Sequence, residues 1–166
     1  MPERLIADVT AARAALDRFP GTLMEGAVAD MLNSGAFAAN LRKVRGIYRE
    51  ARDVLASTLS AASDGLLSVP VPSQGLHLVA RFDPSTDPLV AAAAKTEAGV
   101  AGWLLAETYF RARPLPGFVL GFAGHPLLQL IASAERLAKS SLAALHTSRK
   151  PNKGGTGRAK RLKAMT

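Results

Sequence analysis

The sequence predicts an α+β fold in which a sheet of three or four strands is covered by helices and preceded by a long helical segment. The chain has 166 residues, 48% of them hydrophobic and 20% charged, which is enough apolar material for the core of one ordinary domain. Apolar residues recur at helical spacing near both ends, and short runs of β-forming residues lie between them. This order of helices and strands is typical of an α+β layer.

Helical spacing predicts three helices in the first part of the chain. The first covers residues 2–18, and the second ends at about Asn33. From Phe37 to Leu59 the apolar residues advance by three or four, which predicts one long amphipathic helix.

Four arginines lie at helical spacing on the other side of this long helix: Arg42, Arg45, Arg49 and Arg52. One interpretation is a stripe that follows phosphate groups. The other is a solvated face on which Arg49 pairs with Asp53 one turn later. We favour the solvated face.

Four strands are predicted in the second part. Within residues 67–71 and at the proline that follows, apolar residues alternate with a serine and with prolines. This suits an edge strand, because proline cannot donate a hydrogen bond to a neighbouring strand. Residues 75–82, a segment near 100–105 and the apolar run 118–123 are the other three.

Two more helices are expected against this sheet. Thr86 or Asp87 can cap a helix that begins at Pro88 and ends at Gly99. Pro126 opens the last helix.

Composition excludes several classes of chemistry. The chain has no cysteine, so disulfides, thiolate catalysis and cysteine-based metal sites are excluded, and three histidines argue against an imidazole-rich metal site. Phosphate-loop, dinucleotide-binding, esterase and zincin motifs are absent from the sequence. No apolar run reaches 18 residues and charges interrupt the first 20, so we expect a cytoplasmic location without membrane contact.

The aromatic residues and histidines of the second part have two interpretations each. Trp103, Tyr109 and Phe110 near two arginines could stack on bases, but we favour core packing together with a loop. For His77, in the middle of a predicted strand, we favour a partly buried, hydrogen-bonded role over a catalytic one. His125, just before a helix, could line a cleft, although a structural role is favoured.

The net charge of +8 is concentrated at the C-terminus. Residues 147–166 hold seven basic side chains and no acid, so 21 minus 7 leaves 14 basic against 13 acidic residues elsewhere. We expect this tail to be disordered, and its nucleic-acid candidates are Arg149, Lys150, Lys153, Arg158, Lys160, Arg161 and Lys163.

Five segments, in order, resemble a known family. They are MPERLIADVTAARAALDRFP, GAFAANLRKVRGIYREARDVLASTL, QGLHLVARF, GVAGWLLAETYF and GFVLGFAGHP. Together they are similar to the C-terminal part of fold-type I, pyridoxal-phosphate-dependent aminotransferases (class I/II), above all to the aminotransferase-like domain of MocR/GabR-type regulators in the GntR superfamily.

The resemblance implies a fold, an assembly and a cofactor. Residues 36–145 would form the small aminotransferase domain, residues 1–35 a helical segment that joins the large domain, and residues 146–166 the tail. Complete family members would be dimers that bind pyridoxal phosphate through a lysine Schiff base. A DNA-binding module, the large domain and that lysine would precede Met1.

Carried over residue by residue, the resemblance leaves few functional groups. Val119 occupies the position where many aminotransferases have an arginine that grips the substrate carboxylate, which argues against carboxylate capture by that route. Leu76 and His77 are the other candidates for facing the substrate cleft. No catalytic or cofactor-binding residue is assigned, because no lysine follows a strand in a loop of small residues.

The sequence therefore predicts a truncated or split aminotransferase-like domain of a MocR-type regulator, with no cofactor and no catalysis of its own. Its expected partner is a large aminotransferase domain or a second copy. The alternative is an independent module that binds nucleic acid, or a partner, through the tail and the arginine stripe.

Overall fold

The computed structural model describes residues 2–16 and 22–148. Within those ranges a 3₁₀ turn at Glu3–Leu5 comes first and another lies at Leu105–Thr108. The other elements, in chain order, are α1 (Ile6–Leu16), α2 (Thr22–Asn33), α3 (Ala36–Ala62), β1 (His77–Arg81), α4 (Pro88–Ala98), β2 (Trp103–Leu104), β3 (Gly117–Gly121) and α5 (Leu127–Ser148). The predicted α+β class is confirmed.

The chain divides into two compact units, Met1–Gly46 and Ile47–Thr166. The first unit contains α1, α2 and the start of α3, and none of its described residues is buried. Large apolar side chains are exposed along its helices, among them Ile6, Leu23 and Met24.

The second unit is built on a three-stranded antiparallel sheet in the order β1-β3-β2. The middle strand, β3, pairs with β1 in a register that sets Val119 opposite Val79, and with β2 in a register that sets Val119 opposite Trp103. Because side chains alternate between the faces of a strand, Leu78, Ala80 and their neighbours Phe118 and Leu120 share the other face.

One face of the sheet carries the core of the second unit. Leu78, Ala80 and Phe118 on that face are buried, together with residues of α4, α5 and the second part of α3. Each helix presents an apolar stripe at three- and four-residue spacing, as Leu55 and Leu59 show in α3.

Local sequence signals fix the ends of α4. The Asp87 side chain accepts a hydrogen bond from the Leu89 N–H at 2.9 Å, and Pro88 begins the helix. Gly99 ends it in a left-handed conformation with φ of 60°, which glycine adopts without a steric penalty. These predictions are confirmed.

Gly117 lies where β3 approaches β1 closely. A Cβ atom there would clash with the carbonyl oxygen of Ala80 and lie 3.1 Å from the Cα of Arg81. The strand pairing therefore requires a residue without a side chain at this position.

Two expectations about local structure were wrong, and a third was confirmed only in part. The predicted edge strand at 67–71 contributes one isolated bridge, Ser68 to Arg81, because the prolines that follow limit further pairing. The strand expected near 100–105 contains two residues before a 3₁₀ turn begins. Asp53 pairs with Arg52 at 2.8 Å rather than with Arg49, since Arg52 also donates to the Pro72 carbonyl and is held beside it.

Candidate functional site

The face of the sheet away from the core is open to solvent. We call it the open sheet face and define it by six residues that share that side of the three strands: His77, Val79, Arg81, Trp103, Val119 and Gly121. Val79 and Val119 are half-buried at its centre, whereas the other four are exposed. A half-apolar, half-exposed sheet surface is suited to contact with a ligand or another protein surface.

The three residues predicted to face a substrate cleft all lie on or beside this face. His77 and Val119 belong to it, and Leu76 directly precedes β1 with 45% of its surface exposed. The Leu76 carbonyl accepts a hydrogen bond from the Phe122 N–H at 3.1 Å, which extends the β1–β3 pairing by one step. The structure thus brings together residues that are more than 40 positions apart in sequence.

The His77 and Trp103 rings stack across the middle strand. Their centroids are 5.7 Å apart and the ring planes differ by 24°. Gly121 lies opposite His77 and has no side chain, and a Cβ atom placed there would lie 3.6 Å from the histidine ring. The absence of a side chain at Gly121 therefore leaves the space above β3 to the two rings.

The favoured interpretation of the aromatic residues was wrong in part. Trp103 is 58% exposed and Phe110 is 92% exposed, whereas Tyr109 is half-buried. His77 is exposed rather than partly buried, because it is the first residue of β1 and belongs to the open face. The Arg111 guanidinium lies 5.7 Å from the centre of the Phe110 ring, a cation–π contact.

Sequence reasoning did not assign Trp103 to the site. Its place follows from the pairing of β2 with β3, which aligns Trp103 with Val119. The alternation of side chains along each strand was visible in the sequence, but the partner strand and its register were not.

The chemistry available on the described residues is limited. Their lysines, Lys43, Lys95 and Lys139, all lie within helices, and none lies in a strand of the sheet or in the loops that join the strands. Within 2–16 and 22–148, no three His, Asp or Glu side chains converge as a metal site requires. The open sheet face therefore does not fit the binding of pyridoxal phosphate by itself, because it offers no lysine for a Schiff base.

The candidates for nucleic-acid contact are only partly described. The seven basic residues of the tail lie outside the described residues. Arg42, Arg45 and Arg49 are exposed on α3, whereas Arg52 is half-buried and bonded to Asp53 and to Pro72. Arg52 is therefore not available to a phosphate group in this arrangement.

Comparison with solved structures identifies the fold. The chain overlays on LysN, the α-aminoadipate aminotransferase of Thermus thermophilus, with a TM-score of 0.74 at 16% identity. The overlay covers 88% of this chain and 37% of the LysN chain. The aminotransferase Aro8 of Candida albicans matches over 61% of the chain at 25% identity, with a TM-score of 0.49 that is too low for a conclusion. The fold is that of part of a fold-type I aminotransferase.

Comparison of sequences points to one group of these proteins. The "probable rhizopine catabolism regulatory protein MocR" of Rhizobium meliloti is 31% identical over 106 residues, which are 64% of this chain and 22% of MocR. The chain therefore spans about a fifth of the length of this relative. No family model matches the chain. The predicted resemblance to the C-terminal aminotransferase-like part of a MocR-type regulator is confirmed.

None of the helices in the described part of the chain combines the length and the hydropathy that a membrane crossing requires.

Proposed function

We propose that this chain acts as the small-domain part of a pyridoxal-phosphate-dependent, aminotransferase-like sensor in a MocR-type transcriptional regulator, and has no catalysis by itself. The observation that carries the proposal is the 31% identity to a protein named as a regulator, combined with the fold of an aminotransferase. Both relatives extend well beyond this chain, so the cofactor-holding lysine would come from a large-domain part. The complete protein would be cytoplasmic and dimeric.

In this proposal the open sheet face completes the ligand cleft. It would meet the large-domain part with the His77–Trp103 stack and with the half-buried Val119. Val119 is aliphatic where the resemblance implies an arginine, so it can contact apolar ligand groups but cannot form paired hydrogen bonds with a carboxylate. The proposed sensor would therefore hold an amino compound without the usual carboxylate clamp.

The exposed apolar residues of the first unit support a large partner surface. Ile6, Val9, Val28 and Met31 are between 42% and 47% exposed and lie on successive helices. Apolar surfaces of this kind are characteristic of protein interfaces. We assign the large aminotransferase domain as their partner, with a second copy of the chain as the alternative.

A titration with pyridoxal phosphate tests the assignment of the lysine. We expect the purified chain to show no saturable aldimine absorbance and no single lysine fixed by borohydride. One stoichiometric adduct at a unique lysine would contradict the proposal. A useful control is a complete aminotransferase, which must give the adduct under the same conditions.

Co-purification tests the partner. The large-domain part is sought in the reading frame next to this one, or in the same frame, and is produced with a tag. We expect it to retain the untagged chain, and a charged substitution, Val28→Glu, to reduce that retention. If the wild-type chain is not retained and elutes as a monomer, both the large-domain partner and the self-association are wrong.

The alternative function is a nucleic-acid-binding module. The observation that favours it is the concentration of seven basic residues, without an acid, after residue 146. Retention on DNA would then fall steeply with salt and disappear when residues 147–166 are removed. If the truncated chain is retained equally, the alternative is wrong.

A further inference from the structure

A second candidate site lies on the core side of the sheet and shares only Gly121 with the open sheet face. It is a cavity of about 250 Å³ between the end of α4, the end of β3 and the first half of α5. At roughly 30 Å³ for each water in the liquid, this volume corresponds to about eight non-hydrogen atoms. The cavity is thus large enough for a small organic molecule.

The floor of the cavity is apolar and buried. Leu120 of β3 and Leu130, Ala134 and Leu137 of α5 line it, and each of them is buried. Leu55 of α3 closes the floor. An apolar group of four or five carbons would replace water against this floor, which is the main source of affinity in small cavities.

The rim of the cavity is polar and carries no acid. Gln129, Ser133 and Arg136 follow one another along one side of α5, and His125 precedes the helix. Among the lining residues, all of which belong to the described part of the chain, there is no Asp or Glu. Arg136 gives the rim a fixed positive charge, so an anion is favoured over a cation.

Arg136 is held in place before any ligand arrives. Its Nε donates to the Ala98 carbonyl in the last turn of α4 at 3.3 Å, and its Nη2 donates to the Ser133 hydroxyl at 3.2 Å. A guanidinium has more donors than these two bonds use, so the remaining N–H groups can bind a carboxylate. Holding the side chain in advance reduces the entropy that is lost on binding.

We propose that this cavity binds a small carboxylic acid with a branched apolar tail, the carboxylate on Arg136 and the tail on the leucine floor. Leu76, His77 and Val119 do not line the cavity, so the proposal does not depend on the function assigned to these three residues. The ligand would connect α4 to α5, because Arg136 already joins these two helices.

The first test uses the unmodified 166-residue chain. Amide shifts are followed by NMR during titration with 4-methylpentanoate, whose size of about eight non-hydrogen atoms matches the cavity, and separately with the uncharged 4-methylpentanamide. We expect saturable shifts at Gly99, Ala101 and Ser133 with the acid, and binding weaker by about tenfold with the amide, because the charged hydrogen bonds are lost. Equal binding of acid and amide, or no saturable shift at these residues, would overturn the proposal.

Two variants then test whether Arg136 supplies the positive charge that binds the carboxylate. Arg136→Gln should weaken binding of 4-methylpentanoate by about tenfold or more, whereas Arg113→Gln, which removes the same charge from an exposed loop outside the cavity, should leave it unchanged. Equal losses in both variants would indicate general charge attraction and refute the site.

A third variant covers the risk that Arg136→Gln disturbs α4. Ser133→Leu keeps the charge of Arg136, removes the hydroxyl that accepts its hydrogen bond and fills the mouth of the cavity, so it should abolish binding while circular dichroism remains that of the wild type. Undiminished binding to folded Ser133→Leu would contradict the proposal.

Discussion

In the unit formed by Met1–Gly46, none of the described residues is buried, whereas in the unit formed by Ile47–Thr166 three helices bury one face of a sheet. Both units are rich in apolar residues, so the difference does not come from composition. It comes from the sheet, which gives the helices of the second unit a common surface to cover. A helix without such a surface has only its own propensity to stabilise it, and that is marginal for helices of 11 or 12 residues.

The largest expected difference between the units is in amide hydrogen exchange. Amides of α1 and α2 should exchange through local opening of close to zero free energy, and amides of β3 and of the buried part of α5 should require global unfolding, about 5–15 kcal/mol. Exchange measured by NMR or mass spectrometry on the 166-residue chain checks this. Equal protection in both units would mean that the first unit is stabilised by a partner, such as a second copy.

The next largest effect compares two leucines. Leu59 in the second unit is 0% exposed, and Leu59→Ala should lower the free energy of unfolding by about 2–5 kcal/mol because it leaves a cavity. Leu23 in the first unit is 86% exposed, and Leu23→Ala should change the free energy of unfolding by less than about 0.5 kcal/mol. Urea unfolding measures both, and similar losses would show that the two units unfold as one.

Side-chain hydrogen bonds at the starts of two helices offer a smaller test of the same difference. Asp87→Ala removes the acceptor for the Leu89 N–H and should cost about 1 kcal/mol, because α4 is part of the core. Ser34→Ala removes the acceptor for the Ala36 N–H, 3.4 Å away at the start of α3, and the bond that the hydroxyl donates to the Met31 carbonyl at 3.1 Å. Because both bonds are exposed to solvent, it should cost less than about 0.5 kcal/mol. A greater loss of stability for Ser34→Ala than for Asp87→Ala would contradict the expectation that local bonds matter more in the second unit.

The smallest expected effect concerns Asp83, which follows β1 in the second unit. Hydrogen bonds from the Ser85 hydroxyl and backbone N–H lower the pKa of this carboxyl below its ordinary value. A lowered pKa means stability that is present above the ordinary pKa and is lost as pH falls through the folded-state value. Ser85→Ala should raise the pKa of Asp83 in an NMR titration. An unchanged pKa would show that the Ser85 hydroxyl does not lower the pKa of Asp83.

Much of the local structure was predictable because it depends on neighbours in sequence. The presence of α3 and α5 follows from apolar spacing, although α5 continues to Ser148, into residues assigned to the tail, and the ends of α4 follow from Asp87, Pro88 and Gly99. The edge strand at 67–71 could not be judged in the same way, because a strand exists only if a partner pairs with it. Only Ser68 of this segment forms a β-bridge, with Arg81, and no strand pairing extends from it.

The candidate sites were less predictable than the fold. Leu76, His77 and Val119 were selected through the family resemblance, and the structure places them together. Trp103 was assigned to the core because large aromatic residues are usually buried, yet the register of a two-residue strand places it on the open face. For the cavity beside Arg136 the sequence offered only the less favoured interpretation that His125 lines a cleft, because the walls come from separate elements.

The sequence by itself determined the α+β class, the presence of the helices, the ends of α4, and the resemblance to the aminotransferase-like part of MocR-type regulators. Apolar periodicity, capping residues and family motifs are local or linear properties, so they can be read along the chain. Only the tertiary structure decided the strand order β1-β3-β2, the stack of His77 on Trp103 and the position of Arg136 against α4. These depend on which distant segments pair and in which register, and such pairing is fixed by burial of the whole sheet rather than by any single segment.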